Sequence, residues 1–129
     1  MFLFKTSGKT LPNVIRYQAH AFRGHPREWE PGELVLVSKN RSDCARAERQ
    51  IQYTMELKAI RPLQPGEAES LWPGSEGRWK YLIQCEATRR LAQPFNLHDV
   101  LGAEALPYGP IMTFVRLSPT HARRIREYL

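Results

Sequence analysis

Cysteine is scarce in this 129-residue chain, which has only Cys44 and Cys85. They stand too far apart for a CxxC or Cys/His ligand spacing and are too few for a secreted disulfide scaffold, so a reduced, intracellular protein is expected. Long apolar runs are missing as well. Nothing approaches the ~18 to 20 residues of a membrane span, and a lysine follows Met1 to Phe4 too soon for a signal peptide. The expected location is the cytoplasm, with no membrane association. The four histidines, His20, His25, His98 and His121, show neither i,i+4 pairing nor a cysteine partner, so no metal and no cofactor is expected. Gly8-Lys9-Thr10 ends like a phosphate loop, but Leu3 stands where that loop requires a glycine. No Gly-x-Ser-x-Gly elbow, dinucleotide glycine fingerprint, repeat or low-complexity stretch occurs.

Positive charge, in contrast, is abundant. Lys plus Arg number 19 against 13 Asp plus Glu, a net +6, and 14 of the cations are Arg. The planar guanidinium matches phosphates and base edges better than an ammonium, so a polyanionic partner is one reading and an Arg-biased composition the other. The length and a 42% hydrophobic fraction suit one domain spanning residues 1–129.

Apolar periodicity divides that domain into short elements. Phe2, Phe4 and Thr6 alternate as a first strand, and Gly8 ends it. Leu11, Val14, Ile15, Gln18 and Phe22 approximate helical spacing from Pro12 to Phe22, with Gly24 beyond. The Pro31-Gly32-Glu33 turn leads into Leu34 to Ser38, a continuous apolar run expected of a strand covered on both faces. Arg41 to Gln50 reads as a loop or a short helix started by Ser42. Ile51, Tyr53, Met55 and Leu57 alternate with polar residues as a half-buried strand. Residues 61 to 78, rich in proline and glycine, form a long connection that carries Trp72, and connections of that length are often functional. Trp79, Tyr81, Ile83 and Cys85 alternate as a further strand, which puts the Trp79 ring in the core. Asn96 caps a short helix that closes at Gly102, Ile111 to Leu117 is the fifth strand, and Ser118-Pro119 starts a last helix. Two bare sheet edges are costly in so small a sheet, so closure into a barrel with helices outside is expected.

Several of these pieces together are similar to the PUA-like superfamily, which includes the EVE, YTH and ASCH domains. They are the opening strand Met1 to Ser7, the Pro31-Gly32-Glu33 turn into Leu34 to Lys39, the strand 51 to 60, Trp72-Pro73, the strand 79 to 87, and the closing strand and helix 110 to 129. EVE is the nearest in pattern. The resemblance implies an α+β fold: a small five- to six-stranded PUA-like barrel flanked by two to four helices. It also implies a nucleic-acid-binding module, not an enzyme, that recognises a modified base, methylated cytosine or adenine, in an aromatic pocket. A nuclease or ATPase partner protein is the associated expectation, because EVE domains are linked to prokaryotic restriction systems.

A base taken out of its stack needs a flat π surface and a few polar partners for its edge. The resemblance places Trp72 where YTH domains carry a cage tryptophan, and Thr6, Ser7, Ser38 and Asn40 where their pockets hold polar groups. The second cage tryptophan has no counterpart between residues 8 and 24, where Tyr17 and Phe22 are the substitutes. Trp29 is a lid or a staple before its turn, and Trp79 completes the aromatic set. Lys39, Arg41, Arg46, Arg49 and Arg78, with Lys80, would contact phosphates.

Two alternatives stand beside this reading. Ser7-Gly8-Lys9-Thr10 through Arg16 resembles the Gly-x-Lys motif of ASCH domains, some of which hydrolyse acylated cytidine with a Lys, Thr and Glu set. Lys9 and Glu56 are then nominated, with Thr10 replacing the threonine position taken by Pro12. The other alternative is a non-specific RNA-binding module.

Overall fold

The computed structural model describes residues 1–40, 50–75, 77–108 and 114–129. Element order is β1 (Phe2–Thr6), α1 (Leu11–Tyr17), β2 (Ala19–Phe22), β3 (Leu34–Lys39), β4 (Gln50–Pro62), α2 (Glu67–Leu71), β5 (Tyr81–Asn96), α3 (Leu97–Leu101), a 3-10 segment (Gly102–Tyr108), β6 (Phe114–Arg116) and α4 (Pro119–Arg126). The six strands form one mixed sheet in the order β2-β5-β4-β3-β1-β6. Only β1 and β3 run parallel; the other neighbouring pairs are antiparallel. The α+β class is as expected. No helix among the described residues is long and apolar enough to cross a membrane.

Strand alternation distributes the core to two faces. Phe2, Phe4, Val35, Val37, Met55, Leu57 and Ile83 fill the inside of the curl, where Val14 of α1 joins them. Leu3 and Leu36 point the other way and meet Leu97, Leu101 and Ile125 from the helices of the second half. That double covering explains the unbroken apolar run of β3 and the complete burial of β1.

The barrel is not fully closed. The sheet curls into a half-barrel, and among the described residues its two edge strands, β2 and β6, share no ladder. Aromatic rings fill the seam between them. Phe22 of β2 stacks on Phe114 of β6 at 5.2 Å, while Phe4 meets Phe22 at 5.2 Å and Phe114 at 4.9 Å. Large rings packed face and edge occupy the space that backbone hydrogen bonding would need, so dispersion and burial join the edges.

Two of the stretches that differ from the sequence reading border a cleft. The helix predicted through Phe22 stops at Tyr17, because Gln18 turns left-handed (φ 50°) and its carbonyl and amide oxygens are held by β5. Cys85 N–H donates to Gln18 O, and the Thr88 N–H and hydroxyl donate to Gln18 Oε1. Ala19 to Phe22 then pair with β5 as a sixth strand, so Phe22 reaches the core from a strand. The second difference concerns Trp79. It lies before β5, off the alternation, and packs with Trp72 and Leu82, whereas Tyr81, Ile83 and Cys85 belong to the inner cluster.

Candidate functional site

The end of β1, the start of α1, the end of β3 and residues 72–75 and 78–79 converge on a cleft of about 300 Å³. Its polar lining includes Lys5, Thr6, Ser7, Lys9 and Thr10 on one side and Ser75 and Arg78 on the other, with His20, Trp72 and Trp79 as its aromatic part. Asn40 also borders it, positioned by the bond from its backbone N–H to Thr6 O at 2.7 Å. Among the described residues the lining holds three cationic side chains and no carboxylate. A wider hollow of about 750 Å³ near Phe95 and Leu129 carries Asp99 and Glu127 but no cation in its described lining, the wrong charge for a polyanion.

Local hydrogen bonding fixes both walls. Thr10 Oγ1 lies 2.5 Å from Thr6 Oγ1 and 2.7 Å from Ser7 Oγ, and Thr10 N–H donates to Ser7 Oγ. These three hydroxyls thereby form a compact cluster at the mouth of α1. Across the cleft, Ser75 Oγ donates to the carbonyls of Ala68 and Trp72, which folds residues 72–75 back onto α2. The Asn13 side chain donates to Leu71 O and ties α1 to the same wall. The Arg78 guanidinium lies over the Trp79 ring at 5.3 Å, so cation and aromatic surface are held together.

Burial sets the charge states. Lys5 is only 8% exposed, and desolvation lowers its pKa from 10.5 to about 8. His20 is equally buried and its pKa is pushed down to about 3, so the ring stays neutral. The Lys5 shift has a measurable sign. Its folded-state pKa lies below its unfolded value, so the desolvation penalty on the ammonium is fully present below pH 8 and is relieved as pH rises from about 8 to 10.5. The unfolding midpoint of the natural protein, measured relative to Lys5→Met, is therefore expected to rise across that window. A difference that stays flat from pH 8 to 10.5 contradicts the assignment.

The structure gathers some of the sequence-predicted residues and separates others. Thr6, Ser7, Asn40, Trp72, Trp79 and Arg78 line the cleft, together with Lys9. Tyr17 lines a different hollow with Lys58 and Gln84. Trp29 packs against the inner core, and Ser38 is buried with its hydroxyl donating to Lys39 O, so neither belongs to the lining. Lys39 is also outside it, and Arg41, Arg46 and Arg49 lie outside the described residues. Glu56 is exposed on β4, opposite Glu86 of β5 in the ladder, and is not part of the cleft. The hydrolytic set nominated from sequence is therefore not assembled by Lys9 and Glu56. In a Gly-x-Lys pattern started by Gly8, the third position is moreover Thr10.

Lys5, His20 and Ser75 are the cleft residues that periodicity missed. Lys5 carried one signal, as a charged residue between Phe4 and Thr6 in a strand buried throughout. His20 carried none, because it sat within a predicted helix.

No protein-family model and no curated protein sequence matches the chain. Solved structures do. A mutant form of the ASCH protein from Zymomonas mobilis superposes with a TM-score of 0.68 at 10% identity, covering 98% of this chain and 96% of that one. The unsubstituted ASCH protein from the same organism gives 0.65 at 10% identity, with 98% and 93% covered. A protein from Pseudomonas putida gives 0.63 at 12% identity, with 98% and 97% covered. At these identities the likeness is one of fold, shared with these ASCH structures over nearly the whole chain.

Proposed function

We propose that this protein binds single-stranded nucleic acid and holds one nucleotide, with its base, in the cleft at the end of β1. The observation that carries this reading is the lining itself. Lys5, Lys9 and Arg78 stand beside Trp72 and Trp79, with no carboxylate among the described lining residues. Cations draw phosphate oxygens where a carboxylate would repel them, while an aromatic face replaces the stacking that a base loses on leaving its strand. A volume of about 300 Å³ suits one base and its sugar.

The stacking surface is Trp79, which remains partly exposed, while Trp72 is 5% exposed and serves as the cleft wall. A methyl group on the base, as in methylated cytosine or adenine, would lie against these rings.

Fluorescence anisotropy of short DNA and RNA oligonucleotides, with and without base methylation and at two salt concentrations, tests the proposal. Binding by electrostatics alone falls steeply with salt, whereas a base-reading cleft retains a preference for one base after the phosphate contribution is screened. Equal affinities that vanish together at high salt would reduce the protein to a non-specific RNA-binding module. No measurable binding at low salt would end the nucleic-acid reading.

One observation favours a second reading, hydrolysis of an acylated nucleoside. The Lys5 amine, with its pKa lowered to about 8, lines the same cleft as the hydroxyls of Thr6, Ser7 and Thr10. An amine near neutrality beside hydroxyl groups is the equipment of general base catalysis. Release of the acyl group from an acylated cytidine, lost in Lys5→Met, would establish it.

A further inference from the structure

Two nitrogens at the cleft wall have no hydrogen-bond partner among the described residues: His20 Nε2 and Trp72 Nε1. Both side chains line the cleft, both are more than nine-tenths buried, and their rings lie 5.8 Å apart. A buried polar group without a partner is a standing cost to the fold, and native structures keep few of them. Here two occur side by side in one cleft.

The proton on His20 is placed by its neighbour. Ala21 N–H donates to His20 Nδ1 at 2.8 Å, so Nδ1 presents its lone pair and the proton of the neutral ring resides on Nε2. Burial keeps the ring neutral across the physiological range. Indole Nε1–H is a donor and never an acceptor. Both orphan groups are therefore donors, and what matches them is a ligand that brings acceptors.

We propose that the cleft selects bases that carry a ring carbonyl over adenine, with His20 Nε2–H and Trp72 Nε1–H as the reading donors. This inference rests on the nucleic-acid reading above and narrows its two methylated bases to cytosine. A phosphate is the other common source of acceptor oxygens, but cations that face water already stand at the rim for it, since Lys9 and Arg78 are exposed. Neutral donors buried between aromatic rings suit a neutral, planar acceptor instead. Uracil, thymine, cytosine and guanine each bear a carbonyl oxygen. Adenine bears none: its ring nitrogens N1, N3 and N7 accept one bond each, and N1 and N7 are flanked by the N6 amine, so no edge of it pairs both donors and one is left unsatisfied. Both nitrogens are shielded from solvent, so the base reaches them by displacing the side chains that cover them.

The test compares the affinities of U8, C8 and A8 single strands by anisotropy, in the natural protein and in Trp72→Phe and His20→Asn. Phenylalanine removes the indole donor and keeps a ring. Asparagine keeps an acceptor for Ala21 N–H and withdraws the donor at the far side of the imidazole. We expect U8 and C8 to bind at least tenfold more tightly than A8, and each substitution to reduce that ratio below threefold. The ratio is the readout because a general loss of stability weakens all three strands together. Tight binding of all strands with A8 equal or preferred overturns this inference and leaves the nucleic-acid reading standing. A ratio preserved in both variants also overturns it, whereas failure of every strand to bind overturns the underlying reading.

Discussion

Trp79→Ala is expected to weaken binding of a single-stranded oligonucleotide by roughly 5- to 150-fold, because an aromatic platform contributes about 1–3 kcal/mol per stacked base. The loss should appear with little change in folding, since Trp79 is only partly buried at the margin of the small cluster around Ala19, Ala21 and Leu82. Arg78→Ala separates the two contributions. Its guanidinium sits over the same ring, and removing it is expected to reduce the salt slope of binding by about one charge's worth. Trp72→Ala would be less informative, because Trp72 is 5% exposed and its removal opens a void in the wall. Anisotropy titrations at several salt concentrations, paired with circular dichroism melts, make these comparisons. If Trp79→Ala binds within twofold of the natural protein, the stacking role is wrong.

Phe22→Ala should be the most damaging single change to stability among the aromatic residues. The ring is 1% exposed, contacts Phe4 and His20, and stacks on Phe114 across the seam between β2 and β6. Phe to Ala in a packed core costs about 3–5 kcal/mol, and the cavity term is large where neighbours cannot collapse. For a chain of this size that corresponds to a fall in melting temperature of roughly 10–20 °C. Phe22→Leu should fall by much less, since it keeps most of the volume. Because His20 neighbours Phe22 on β2, the alanine variant should also perturb the cleft. A drop of under about 4 °C would mean that the rings do not hold the two edges together.

The protein's elements were legible to very different degrees. Alternation over Ile51 to Leu57, the run Leu34 to Ser38 and the opening Phe2 to Thr6 all reappear as strands, because burial on one or both faces imposes a pattern that any reader of the sequence meets. Capping chemistry was equally readable: Asn96 Oδ1 accepts from His98 N–H, and Ser118 Oγ accepts from His121 N–H. These signals are local, carried by residues within a few positions of one another. The β2 strand was hidden for the opposite reason. Nothing around Gln18 marks a left-handed turn, and what fixes it is bonding to Cys85 and Thr88, nearly seventy residues away.

The cleft divides along the same line. Its residue types were visible in the sequence, as hydroxyls after the first strand, a tryptophan in a proline-glycine connection and an excess of cations. Their meeting was not, because Thr6, Asn40, Trp72 and Arg78 come from four separate stretches that only the curl of the sheet brings together. Glu56 shows the same limit from the other side. Its place in an alternating strand left both faces open until the inner cluster of Tyr53, Met55 and Leu57 turned it to solvent. Sequence alone determined the net charge, the strand periods and the helix caps, which depend on composition and near neighbours. Tertiary structure decided which side chains lost their water, and with it the lowered pKa of Lys5, the tautomer of His20 and the unpaired donors that give the cleft its chemistry.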